Sequence, residues 1–174
     1  MKVVDFVGYS GSGKTTLVEK LIEIFSTAGL NVAALKDAHH GFEMDRPGKD
    51  SCRFRCAGAK QVIVRSDDRW VLLTETPQQR PSLKELLDQL APCDLVLVEG
   101  FKSEEAAALR LEVYREGVCD EAPIALKDPG ICAVVSDRTP DALAASGLPV
   151  LNINDPASVA RWVAERLGID RGLV

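Results

Sequence analysis

Apolar residues fall along this chain in two rhythms: short unbroken runs, and longer runs spaced by three or four. Val3, Val4, Phe6 and Val7 form a near-continuous apolar stretch, the pattern of a strand covered on both faces. Leu17, Leu21, Ile24, Phe25 and Ala28 then recur at helical spacing, and Gly29 supplies a stop. Residues 31–36 read as a second strand. Residues 37–48 are polar and carry Gly41, Pro47 and Gly48, which predicts a loop. A short helix is expected over residues 50–57, capped by Asp50 or Ser51.

The texture then changes. Residues 61–65 and 69–74 are rich in β-branched and bulky side chains and flank Ser66-Asp67-Asp68. This predicts a β-hairpin inserted at about residues 61–76, outside a simple strand–helix alternation. Residues 82–90 read as a helix, because Ser82 with Glu85 three positions on forms a capping box. Residues 95–98 form another buried strand, residues 108–114 and 131–135 are extended, and residues 150–153 form a last short strand. Asn154-Asp155-Pro156 opens a final helix with a cap and a proline at its first position, running to about Leu167. The alternation predicts an α/β fold with a mostly parallel sheet flanked by helices.

At 174 residues the chain is expected to form a single domain, residues 1–174. Its 46% hydrophobic and 27% charged residues are ordinary globular composition. A net charge of −5 leaves no general basic surface for nucleic acid. No apolar run approaches the ~20 residues of a membrane span, and Met1–Gly8 is too short for a secretory apolar segment. A cytoplasmic location without membrane attachment is expected. The five cysteines form no Cys-x-x-Cys pair, so free thiols are the expectation in a reducing compartment.

Gly8-Tyr9-Ser10-Gly11-Ser12-Gly13-Lys14-Thr15 matches G-x-x-x-x-G-K-[ST] in full, with an apolar strand before it and an amphipathic helix after it. Glycines let the backbone approach a ligand closely, and successive amide N–H groups then face phosphate oxygens at the positive end of the helix. This context refines the fold to that of a P-loop NTPase. Gly8, Ser10, Gly11, Ser12, Gly13, Lys14, Thr15 and Thr16 are the expected nucleotide contacts. Lys14 reaches the β- and γ-phosphates, Thr15 binds Mg²⁺ and Thr16 touches the α-phosphate. Leu95-Val96-Leu97-Val98-Glu99-Gly100 is a strand ending in an acid, and ligands of parallel sheets bind at such carboxyl ends. Glu99 is expected to hold Mg²⁺ through water or to polarise the attacking water, which makes Lys14 and Glu99 the catalytic candidates. Gly100 is expected to offer its N–H to the γ-phosphate.

With these residues in view, the chain resembles the molybdopterin-guanine dinucleotide biosynthesis protein B family. The likeness rests on four segments: the P-loop with Thr15-Thr16; Lys36 with His39-His40 and residues 45–51; Arg69-Trp70 with Thr74-Glu75-Thr76-Pro77; and Leu97-Val98-Glu99-Gly100-Phe101-Lys102. The resemblance implies a GTP-binding accessory protein of molybdenum cofactor maturation, with GTP and Mg²⁺ as cofactors. It implies slow GTP hydrolysis, and a partner nucleotidyltransferase that joins GMP to molybdopterin. It also implies a homodimer formed through the hairpin strands, whose exposed edges pair readily. Cys52 departs from the family, which often has an aromatic residue there. Preference for GTP over ATP comes from the resemblance alone, since no Asn-Lys-x-Asp motif is present.

Other residues admit two readings. His39 and His40 are either exposed loop residues or contacts to nucleotide, cofactor phosphate or metal. Cys52 and Cys56 share a helix face at i and i+4 and could join a histidine in a zinc site. Lys49, Arg53 and Arg55 form a basic cluster that is either plain surface or a site for a pterin phosphate or second nucleotide. Lys36 belongs with the same cofactor or partner contacts. Asp45 is a candidate metal or water ligand, with Asp50 as its alternative. Asp137, at the end of the strand over residues 131–135, is either a simple turn residue or the acceptor that reads guanine. The competing functions are a small-molecule kinase, a metal-insertion GTPase chaperone, and an adaptor that uses GTP only as a structural ligand.

Overall fold

The computed structural model describes residues 1–38, 41–42, 45–101, 107–118, 121–170 and 172. Packing divides the chain into two units, residues 1–37 with 87–174, and residues 38–86.

In the first unit, six strands among the described residues form one sheet: β1 (Lys2–Val7), β2 (Val32–Lys36), β5 (Leu95–Glu99), β6 (Leu109–Val113), β7 (Ala133–Ser136) and β8 (Val150–Asn152). Their order is β2-β5-β1-β6-β7-β8 and every pairing is parallel. Period-two alternation assigns each strand's side chains to the two faces. Val4, Phe6, Leu95, Leu97, Leu111, Val113, Ala133 and Val135 point to one face and share a core with α1 (Lys14–Thr27) and α4 (Pro156–Leu167). Leu21 and Phe25 of α1 are fully buried there, each worth about 1.5–3 kcal/mol relative to exposure. The opposite face holds Asp5 and Arg110, which stand in register on β1 and β6. Arg110 pairs with Asp5 at 3.5 Å and with Asp128 at 2.9 Å, so charge buried on this face is compensated.

The helix ends follow from their residues. Asp155 caps α4 by accepting the Ser158 N–H at 3.1 Å, with Pro156 at the first position and Gly168 at φ 63° beyond the last. At the end of α1, Leu30 N–H reaches the Phe25 carbonyl at 3.1 Å as the chain turns through Gly29. The start of α1 is different: Gly13 stands at the cap with φ 98°, and no side chain caps the first turn. Its amides are left for something else.

In the second unit, α2 (Asp50–Cys56) precedes the expected antiparallel pair, β3 (Gln61–Arg65) and β4 (Trp70–Thr74), joined across residues 66–69, one residue more than the turn the sequence suggests. The expected cap of α2 is absent. Lys49 occupies the cap position, while Ser51 donates to the Asp45 carboxylate at 2.7 Å and Asp50 pairs with Arg53 at 3.4 Å. Ser51 stands inside the first turn rather than at the cap, and its hydroxyl donates to a charged acceptor.

The helix expected over residues 82–90 is shorter, α3 (Leu83–Leu87), although its capping box forms in both directions. A turn from Leu87 to Leu90 ends it, because Pro92 disfavours helical backbone at Ala91. Asn31, expected in β2, instead binds the turn before β5: its N–H donates to the Asp94 side chain at 2.9 Å. The turns over Ile124–Leu126 and Asp141–Leu143 had no counterpart in the apolar pattern.

Asp155→Ala is expected to lower unfolding free energy by about 0.5–2 kcal/mol without changing the fold, read from urea midpoints with unchanged far-ultraviolet dichroism.

Candidate phosphate-binding site

Between β1 and α1 the chain turns at Gly8, where φ is 145° and a Cβ would stand 2.3 Å from the Val113 carbonyl oxygen. Only glycine fits there. The loop then runs to Gly13 and into the uncapped helix. Lys14 folds back over it, donating to the carbonyls of Gly8 at 3.0 Å and Tyr9 at 2.6 Å, with Ser12 Oγ at 3.4 Å. Ser12 is buried, whereas Ser10, Thr15 and Thr16 are exposed at the sheet's carboxyl edge.

Parallel pairing carries two other strand ends to the same edge. Thr15 donates its hydroxyl to the Glu99 carboxylate at 2.9 and 3.1 Å. Lys36, the last residue of β2, reaches Glu99 Oε1 at 2.6 Å and Thr15 Oγ1 at 3.2 Å. Thr15, Lys36 and Glu99 therefore form one cluster, with a hydroxyl and a carboxylate already gathered around a cation. These hard oxygen donors are the kind Mg²⁺ prefers. The amide of Gly100 is not free for a phosphate, because it donates to the Phe6 carbonyl at 3.2 Å. That bond continues the β1–β5 ladder one residue past Glu99.

The other sequence candidates are held by different neighbours. Asp137 is exposed just after β7, with Ser136 Oγ at 3.4 Å. Asp45 belongs to the second unit, within 2.7 Å of Ser51 and 3.6 Å of Arg55, which also approaches Glu75 at 3.4 Å. Lys49 is exposed, and Arg53 faces Asp50. His39 and His40 lie outside the described residues. Among the described residues no group of three or more His, Cys, Asp or Glu is placed to hold a metal. The Cys52 thiol is pushed up, first by desolvation and then by Cys56 and Asp45, against the lowering pull of Arg55. It stays protonated at neutral pH and is a poor ligand in that form.

The segment after β6 was overlooked in the sequence. Glu112, buried in β6, accepts the N–H groups of Ile124 and Ala125 at 2.8 Å each. Tyr9, in the phosphate loop, donates its hydroxyl to the Ala122 carbonyl at 3.1 Å. Arg115 lies against Gly13. The sequence shows only an ionisable residue within an extended segment, and its place beside β1 comes from the pairing of the strands.

A glycine loop between the central strand and an uncapped helix, with a carboxylate at the neighbouring strand end, defines a P-loop NTPase fold. The sequence pattern of the family described as "MobB: Molybdopterin guanine dinucleotide synthesis protein B" matches residues 3–137. The molybdopterin-guanine dinucleotide biosynthesis adapter protein of Escherichia coli is 40% identical over 163 residues, 92% of this chain and 90% of that protein. A probable adapter protein of the same description from Bacillus subtilis is 30% identical over 161 residues, 90% of this chain and 88% of that protein.

Among solved structures, Bacillus subtilis MobB superposes with a TM-score of 0.73 at 27% identity, covering 95% of this chain and 98% of the other. A MobB homologue from Bacillus stearothermophilus gives 0.71 at 27% identity, covering 97% and 99%. The chain belongs to the MobB family, a family of molybdenum cofactor biosynthesis. The similarity extends well past residue 102, where the recognised motifs end. No helix among the described residues is long and apolar enough to cross a membrane.

Burial raises the Glu112 carboxyl above its ordinary value of 4.5, Asp128 adds to this, and the two amide donors oppose it. A carboxyl that titrates higher in the folded chain than in the unfolded one binds more protons when folded. Stability therefore falls as pH rises from the unfolded value through the folded one. Glu112→Gln should be less stable by about 1–3 kcal/mol, since its NH₂ cannot accept an amide. Its urea midpoint should also fall less than the wild type's as pH rises above 4.5.

Proposed function

We propose that this protein is a GTP-binding adapter that serves a nucleotidyltransferase in forming molybdopterin guanine dinucleotide, and that it hydrolyses GTP slowly. The observation that supports it most is the Gly8–Thr15 turn opening onto an uncapped helix, with the Thr15 hydroxyl on the Glu99 carboxylate. The family's descriptions as adapter proteins support the partner.

In this reading the loop amides and Lys14 receive the β- and γ-phosphates, exchanging the Gly8 and Tyr9 carbonyls for stronger anionic acceptors. Thr15 and Glu99 hold Mg²⁺, which would supply charge neutralisation between the β- and γ-phosphates. Lys36 orients Glu99 before the metal arrives. Asp137 is the candidate reader of guanine. Lys36, His39, His40, Lys49 and Arg53 are candidate contacts to partner or cofactor. The protein acts as a homodimer in the cytoplasm, where its partner and GTP are found.

Lys14→Ala is expected to weaken GTP binding by about 2–5 kcal/mol, at least roughly 30-fold, in titrations with Mg²⁺. Glu99→Gln should keep nucleotide affinity and lower hydrolysis on the order of 100-fold, measured as phosphate release with and without the nucleotidyltransferase. Equal affinity for GTP and ATP would refute the guanine assignment. Binding without turnover under either condition would favour an adapter that uses GTP only as a structural ligand.

A further inference from the structure

Across the phosphate loop from Glu99, one guanidinium is unassigned by the reading above. The strand order β2-β5-β1-β6-β7-β8 puts the ends of β2 and β5, with Lys36 and Glu99, on one side of β1. Arg115 follows β6 on the other side, between β1 and the strand that leads to Asp137. A Cβ built on Gly13 would stand 3.9 Å from Arg115 Cζ and 4.0 Å from its Nε. The guanidinium thus lies against the last glycine before Lys14. Its Nε is buried and, among the described residues, has no hydrogen-bond partner. A buried charged donor without an acceptor is costly, and an anion at this place would relieve that cost. The adjacent acid, Glu116, pairs instead with Arg138 at 2.6 Å.

The segment presenting Arg115 is fixed at several points. Val118 N–H donates to the Arg115 carbonyl at 3.3 Å, closing a turn in which Gly117 takes φ 81°. Tyr114 donates its hydroxyl to the Glu121 carbonyl at 3.3 Å. The Tyr9 bond ties this segment to the phosphate loop itself, and Glu112 holds its far end. Little conformational freedom remains to be lost when a ligand arrives.

We propose that Arg115 is an anion-binding residue of the nucleotide site, holding the α- and β-phosphates from the flank opposite Glu99. This rests on the nucleotide reading above. A guanidinium offers planar, paired donors that match phosphate oxygens. Position selects the phosphates. The terminal phosphate belongs beside Thr15 and Glu99, and the base beyond β7, so Arg115 faces what joins them. The unit it recognises is a nucleoside diphosphate, and its contact is the same in GTP and GDP. A contact common to both nucleotides is read as affinity for each of them.

The test measures dissociation constants for GTP and GDP with Mg²⁺ for wild type, Arg115→Ala and Arg115→Lys. Arg115→Ala should weaken both nucleotides alike, on the order of 10- to 100-fold, with partial recovery in Arg115→Lys. Unchanged affinity overturns the proposal. So does a loss confined to GTP, which would move the contact to the γ-phosphate. Should the alanine variant unfold, wild-type protein still decides: GDP must protect Arg115 from phenylglyoxal in peptide mass maps, and undiminished modification overturns the assignment. Lys14→Ala run in parallel separates the two readings. If it weakens binding while Arg115→Ala leaves affinity unchanged, only the role of Arg115 fails. If wild type binds neither nucleotide, both fail.

Discussion

The chain leaves β1 so close to its neighbour that the first residue of the turn has no room for a side chain. A methyl group on Gly8 would sit well inside van der Waals contact distance of the Val113 carbonyl oxygen. That proximity places the phosphate loop directly on the end of β6 and lets Tyr9 reach the segment beyond it. It also starts α1 immediately, with a glycine in place of a capping side chain. First-turn N–H groups, which no helix satisfies internally, are thereby left without a capping side chain. The Asp155 carboxylate at α4 shows the alternative, in which the same kind of donor is consumed by the fold.

On the other flank, charge rather than steric closeness sets the arrangement. Glu99 is nearly buried, and a carboxylate there needs a compensating partner. The Lys36 ammonium balances its charge and the Thr15 hydroxyl helps to aim it. Three elements distant in sequence meet because β2 and β5 pair in parallel and Lys36 stands opposite Glu99 in the register. A slip of one residue would send Lys36 to the wrong face. The register is itself secured at the far end, where Asn31 and Asp94 bind one another.

Much of this was legible in the residues. The strands and long helices announced themselves through period and caps, and the glycine loop through its strand-to-helix setting. The acid at the end of an apolar run marked Glu99. Other features depended on competition that a pattern does not display. Ser51 is of the residue type that caps helices, yet it stands inside the first turn and gives its hydroxyl proton to the Asp45 carboxylate. Gly100 looked available until the sheet ladder ran one bond further. Arg115 and Glu112 were passed over because β6 reads as an ordinary extended segment. Only its placement beside β1 makes its polar residues notable, and strand order is not written in local sequence.

The second unit enters the chain between Lys36 and Leu95, two positions on strands that lie side by side. Closing a long excursion between adjacent strands costs only about 0.6 kcal/mol per doubling of its length. The sheet is thus nearly indifferent to what is spliced in at this point. Natural variation can lengthen, recharge or replace the excursion, retuning what the protein associates with, while the geometry at the end of β1 stays as it was.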